Sequence, residues 1–397
     1  MIKKVGLFAL VVCLFLAAVI PVPLQAQGKL TVLDSGTQME FPAKLSFTLS
    51  AESDANITDI RLHYVVDRWS FAQVTSEVYV EFAPATTVEA SWTWDMRRTG
   101  GLPPGSSLEY WWTVEDAKRD KAETAPVRVQ FDDTRYPWRS LTEGEVTIYW
   151  YQGDESFAQE LMTTAQEALV RLAEDTGAHL EKPIKAYIYA SSRDLQGSLI
   201  YPQEWTGGVA FTRHGIIAIG IAPNNLDWGK RAMTHELTHL VIHQMIFNPY
   251  NDLPNWLDEG LAMYNEGILS PQQAAFLNKA IAEGSLISVR SLSSPFSAYA
   301  EQAILAYTQS YSLVEFLINN YGSNKMLELL NIFRQGSSYD GALGKVYGFD
   351  MDGLDTRWRD YVTGQYQPTV AQKVIYPALK EMIAASEEVI YKRLNSI

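Results

Sequence analysis

The segment Thr234-His235-Glu236-Leu237-Thr238-His239 carries residue types at a spacing that metal-assisted hydrolysis needs. On a helix, His235 and His239 lie one turn apart on one face, about 6 Å apart along the axis. Two imidazoles so placed can reach one tetrahedral Zn²⁺. They do not complete a centre, because a catalytic zinc takes three protein ligands and a water, and a carboxylate often supplies the third. Trp256-Leu257-Asp258-Glu259-Gly260-Leu261-Ala262 offers Glu259, in a second short helical pattern just past a turn. Glu236 follows His235 by about 100° around the helix. There its carboxylate can face a water whose pKa zinc lowers to roughly 7, take its proton, and pass it to a leaving amine.

The elements that must position these groups are legible in outline. Met233, Leu237, Leu240 and Val241 recur at helical spacing on the side opposite the two histidines, which predicts one helix with an apolar back. His243 continues the series by one more turn. It stands about 12 Å along the axis from His235, too far to share an ion. The extended three-histidine motif is absent, since Ile242 and Met245 occupy its glycine and third-histidine positions. Zinc-bound imidazoles hand their second N–H to a carboxylate or carbonyl, a role open to Asp258 or Glu266.

With H-E-L-T-H followed by W-L-D-E-G-L-A, the sequence resembles the gluzincin metallopeptidases, specifically the bacterial peptidase MA-like group. The W-L-x-E-G-x-A segment is also similar to that of the M1 aminopeptidases. The resemblance covers roughly residues 144–366. It implies His235, His239 and Glu259 as ligands of Zn²⁺, Glu236 as general base, and a peptide or protein substrate. The M1 pattern has Asn before the third ligand, where this chain has Asp258. It also has an upstream G-x-M-E-N segment, and Gly207-Gly208-Val209-Ala210-Phe211 lacks its acidic residue, which speaks against aminopeptidase activity. The run Ala306-Tyr307-Thr308-Gln309-Ser310-Tyr311 looks like the downstream gluzincin helix. It makes Tyr307 the expected donor to the oxyanion, with Tyr311 as its rival.

The flanking regions divide the chain. Lys3, Lys4 and the apolar run from Val5 to Ile20 read as a signal peptide over residues 1–26, which implies secretion; an uncleaved N-terminal anchor is the alternative. The single cysteine is Cys13, inside that run, so a mature chain would carry no disulfide and any metal site would use His and carboxylates. A net charge of −14 argues against nucleic acid or an anionic membrane surface as partner, and no membrane insertion of the mature chain is expected.

Residues 27–131 show short alternating runs, from Leu45-Ser46-Phe47-Thr48-Leu49 to Val127-Arg128-Val129-Gln130-Phe131, and predict an immunoglobulin- or fibronectin-III-like sandwich that could meet a surface partner. His63 reads there as structural. Residues 132–144 read as a polar linker. Residues 145–366 predict an α+β zincin-like (gluzincin) domain: a small mixed sheet, the metal-binding helix, then a helical subdomain. His214, at a turn between two strands, reads as solvated. The resemblance implies that one of those strands aligns an extended substrate by backbone pairing. Residues 367–397 predict a terminal amphipathic helix. The expected activity is a zinc endopeptidase. The alternatives are a catalytically silent zincin-fold scaffold at the cell surface and a zinc amidase acting on cell-wall peptides.

Overall fold

The computed structural model describes residues 30–203, 206–297 and 299–365. The expected signal peptide and terminal helix lie outside the described residues. An N-terminal β-rich region is followed by a mixed sheet and a helical C-terminal region.

The β-rich region holds strands β1 (Thr31–Glu40), β2 (Lys44–Glu52), β3 (Ile57–Val66), β4 (Ser76–Tyr79), β5 (Thr87–Asp95), β6 (Ser106–Asp116), β7 (Lys121–Glu123) and β8 (Val127–Phe131). They form two antiparallel sheets, β1-β2-β5 and β4-β3-β6-β7, with β8 also paired to β6. Alternate residues of β2 (Leu45, Phe47, Leu49), β3 (Ile60, Leu62) and β6 (Leu108, Tyr110, Trp112, Val114) enter a single apolar core. Period-two burial of this kind is what a strand with one buried face requires. His63 is held by its sheet: Nε2 lies 2.9 Å from Thr113 Oγ1, and the ring stacks on Trp111.

Beyond residue 131, in the stretch expected as a linker, the chain is structured. Asp133 is buried and accepts hydrogen bonds from Arg135 Nε (2.8 Å), Arg135 Nη2 (2.6 Å) and the Tyr189 hydroxyl (2.9 Å). Strand β9 (Arg139–Glu143) pairs antiparallel with β10 (Val146–Trp150). The apolar alternation that marks other strands is missing from β9 because it is a sheet edge.

The mixed sheet runs β12-β13-β11-β10-β9, with β11 (Ile184–Tyr189), β12 (Gly208–Phe211) and β13 (Ile216–Gly220). Its centre is parallel, and β12 is an antiparallel edge. Helix α1 (Glu155–Thr176) precedes β11. Asp154 caps it by accepting from Phe157 N, and Gly177 ends it in the left-handed conformation. The short α2 (Ser192–Gln196) links β11 to the β12–β13 hairpin.

Helix α3 (Leu226–Met245) then lays Met233, Leu237, Leu240 and Val241 into the core beneath the sheet, together with Phe157 and Leu161 of α1. Helix α4 (Asn255–Glu266) follows, and then α5 (Pro271–Glu283), α6 (Ala300–Tyr321), α7 (Ser323–Arg334), α8 (Tyr339–Tyr347) and α9 (Met351–Gln365). Helices α4 and α6 cross at Gly260, where a Cβ would stand 2.5 Å from Ser310 O. Only glycine permits that approach, which brings Tyr307 of α6 beside the carboxylates of α4. Among the described residues no helix is long and apolar enough to cross a membrane.

Candidate metal centre

Helices α3 and α4 bring His235, His239 and Glu259 to one point. The two Nε2 atoms are 3.2 Å apart, and Glu259 Oε2 lies 3.2 Å from His235 Nε2 and 3.4 Å from His239 Nε2. Four ligands at about 2.0–2.1 Å around a tetrahedral zinc stand about 3.3–3.4 Å from one another. The observed triangle has that size. Glu259 Oε2 is buried and has no hydrogen-bond partner among the described residues, an orphaned oxygen that a cation would satisfy. The donor set, two imidazoles and one carboxylate, therefore fits zinc.

The outer nitrogens show why the inner ones converge. His235 Nδ1 lies 2.7 Å from Glu266 Oε1, and His239 Nδ1 lies 2.9 Å from Asp258 Oδ1. Both acceptors named as alternatives from sequence are thus used, one for each ring. A proton donated from Nδ1 to a carboxylate leaves Nε2 with its lone pair toward Glu259, the tautomer a metal ligand needs. The other oxygen of Asp258, Oδ2, lies 3.0 Å from His243 Nε2. His243 thus stands outside the triangle and shares a carboxylate with a member of it.

The electrostatics ask for a positive charge. Burial opposes protonation of His235, yet the adjoining carboxylates of Glu259 and Glu266 outweigh it and raise the ring to about 9. Burial would raise Glu259, but His239 and His235 hold it down at about 2. Two bare imidazole nitrogens and a carboxylate oxygen in contact repel one another unless a cation lies between them.

Glu236 sits beside the triangle, and burial raises its carboxyl pKa. Its Oε1 rests against the backbone of Gly208 at the start of β12, where a Cβ would come within 2.6 Å. The sequence puts Gly208 in a candidate substrate strand and does not reveal this contact. The signal available was a glycine pair opening a strand pattern, which marks close backbone approach. Burial, then Glu259 and Glu236, push the Tyr307 phenol well above its ordinary range, and its ring centroid is 6.4 Å from that of His235. The rival Tyr311 is buried elsewhere and donates to Glu315 Oε1 at 3.1 Å.

His214 departs from expectation. Its Nε2 is buried without a partner, and burial, with Arg68 nearby, lowers its pKa to about 4. It is not a solvated turn residue: the loop after β3 lies beside it, with Trp69 N donating to Arg213 O at 2.7 Å.

The family model of the peptidase MA superfamily matches residues 164–364, just over half of the 397-residue chain. The chain belongs to the peptidase MA superfamily. The match runs from within α1 into α9, and so contains both halves of the His/His/Glu group of this superfamily member. Among solved structures it is similar to an M1 zinc metallopeptidase from Deinococcus radiodurans, at 13% identity over 86% of this chain and 96% of that one, with a TM-score of 0.36. It is also similar to OgpA from Akkermansia muciniphila, at 8% identity over 27% of this chain and 30% of that one, with a TM-score of 0.21. The chain thus spans under a third of OgpA. A β-1,3-glucan-binding domain of carbohydrate-binding module family 56 shares 19% identity over 25% of this chain and 96% of its own, at a TM-score of 0.16. Likenesses this distant carry neither activity nor substrate across. No curated protein matches the chain.

Proposed function

We propose that this protein is a zinc-dependent endopeptidase in which His235, His239 and Glu259 hold the metal. The observation that carries the reading is the triangle of two imidazole nitrogens and one carboxylate oxygen, 3.2–3.4 Å on each side, with both outer nitrogens fixed by Glu266 and Asp258. When bound there, zinc would supply Lewis-acid chemistry, polarising the scissile carbonyl and acidifying water.

The chain's own residues supply the rest. Glu236 removes a proton from water as its oxygen attacks the amide carbon, and delivers that proton to the nitrogen as the C–N bond breaks. Its raised pKa makes the second transfer easier, since the acid formed must hold the proton until the amine leaves. Tyr307 stays protonated at neutral pH and donates to the carbonyl oxygen as charge builds there. Among the described residues strand β12 pairs only with β13, so its free edge can align an extended peptide by backbone hydrogen bonds. Such pairing reads backbone rather than a terminus, in keeping with an endopeptidase.

In this reading the N-terminal region is an immunoglobulin-like sandwich joined to a gluzincin domain, and the basic-then-apolar N-terminal run directs export. The test is digestion of an unfolded protein by the purified enzyme, by the enzyme with a chelator, and by Glu236→Gln. The reading requires cleavage only in the first. Bound zinc with no cleavage would instead leave a scaffold.

A further inference from the structure

The β-rich region reaches the metal-binding region through the β3–β4 loop, residues 67–75. Trp69 N donates to Arg213 O at 2.7 Å, just past the end of β12. Phe71 stacks on Phe247 at 4.1 Å, and Trp69 meets the same ring edge-on at 5.3 Å. Lys182 Nζ lies 4.1 Å from the centre of the Trp69 ring. Behind the loop the two regions are seated firmly. Lys185 Nζ donates to Gly105 O at 3.0 Å, and Gly105 has no room for a Cβ against the Tyr187 ring.

Between the loop and α3 lies a small cavity of about 90 Å³, whose walls include Trp69, Thr212, Arg213, His243, Phe247 and Asp252. Both substrate-facing elements lead to it from the catalytic carboxylate. Strand β12 runs from Gly208, against Glu236, toward Thr212, a distance of about 13 Å at strand rise. Helix α3 runs from Glu236 past His243 toward Phe247, about 16 Å at helical rise. Arg213 and Asp252 are exposed at the rim, and neither side chain has an ion pair or hydrogen bond among the described residues.

We propose that this cavity is a specificity subsite for a polar substrate side chain of limited size, about three or four residues from the scissile bond, and that the β-rich region supplies its outer wall through Trp69. The inference rests on the endopeptidase reading and deepens it. An extended peptide paired to β12 places alternate side chains on the α3 side, and one of them meets the cavity where Trp69 closes it. The two unpaired charges at the rim favour a polar tip over an aliphatic one, and the indole limits size. The β-rich region is then part of the substrate site and not a separable binding module.

The experiment is digestion of a proteome-derived peptide library by wild type, Trp69→Ala and Glu236→Gln, read by mass spectrometry, with zinc content measured for each. Wild type should show a preference for small polar residues at one position, three or four residues to one side of the cut. In Trp69→Ala, zinc content should hold while the ratio of kcat/KM for that residue against a large one falls about tenfold. If Trp69→Ala does not fold, Arg213→Gln and Asp252→Asn replace it, since their side chains support no other structure. These should shift the polar preference. A flat wild-type profile at that position, or variants that match a preferring wild type, overturns the subsite alone. Cleavage by no variant, wild type included, overturns the endopeptidase reading and the subsite with it.

Discussion

Glu266 Oε1 lies 2.7 Å from His235 Nδ1, and this contact between the last turn of α4 and the middle of α3 decides which nitrogen of the ring faces Glu259. Asp258 does the same for His239 at 2.9 Å. Replacing either carboxylate by its amide keeps the shape but weakens the hold on the ring. Glu266→Gln and Asp258→Asn should each lower zinc affinity by about 10–100-fold, measured by competition with a chromogenic chelator. Asp258→Asn should have the wider effect, because Asp258 also holds His243.

In the proposed mechanism Gly208 matters through the side chain it lacks. An added Cβ would meet Glu236 Oε1 at 2.6 Å, and the movable carboxylate, rather than the backbone, must give way. Gly208→Ala should fold and bind zinc normally. Its kcat should fall about 100-fold, as expected when a reacting group is misplaced by about 1 Å. Turnover and zinc stoichiometry measured on one preparation separate the two effects.

Tyr307→Phe removes a hydroxyl that no protein group engages among the described residues, and should leave the fold and zinc content intact. If that hydroxyl meets the developing oxyanion, turnover falls about 100- to 1,000-fold. Tyr311→Phe should change turnover little, since its hydroxyl is already committed to Glu315. Steady-state kinetics on both variants decide between the two tyrosines.

His214 makes stability depend on pH. Folded, it takes a proton only near pH 4; unfolded, near 6.5. Between those values the unfolded chain holds more protons, so stability present above pH 6.5 is lost as pH falls toward 4. The gap corresponds to about 3 kcal/mol. Arg68 and Asp67 of the β3–β4 loop act on it in opposite directions, Arg68 lowering and Asp67 raising its pKa. Urea unfolding of wild type and His214→Gln at pH 7 and 4.5 should show a smaller loss on acidification in the variant.

Much of the site was readable because its chemistry is local. His235, Glu236 and His239 owe their relation to helical spacing alone, and Glu259 follows twenty residues after His239 on a helix that starts just after Pro254. What escaped depends on contacts between distant segments. Strand β1 is almost wholly exposed or half-buried, and β9 is a polar edge, so neither shows the alternation that marks a buried face. His214 was read from its turn, yet a loop some 145 residues earlier lies beside it, as Arg68 and Asp67 show. The contact of Gly208 with Glu236 crosses from sheet to helix and leaves no periodic trace.

The most direct test of the account is metal analysis of the purified protein beside His235→Ala and Glu259→Ala. The account predicts one zinc per wild-type chain, loss of that zinc in both variants, and cleavage of an unfolded protein by wild type alone. Zinc retained at full stoichiometry in both variants, or proteolysis that persists without it, would contradict the claim that these side chains hold the metal on which the reaction depends.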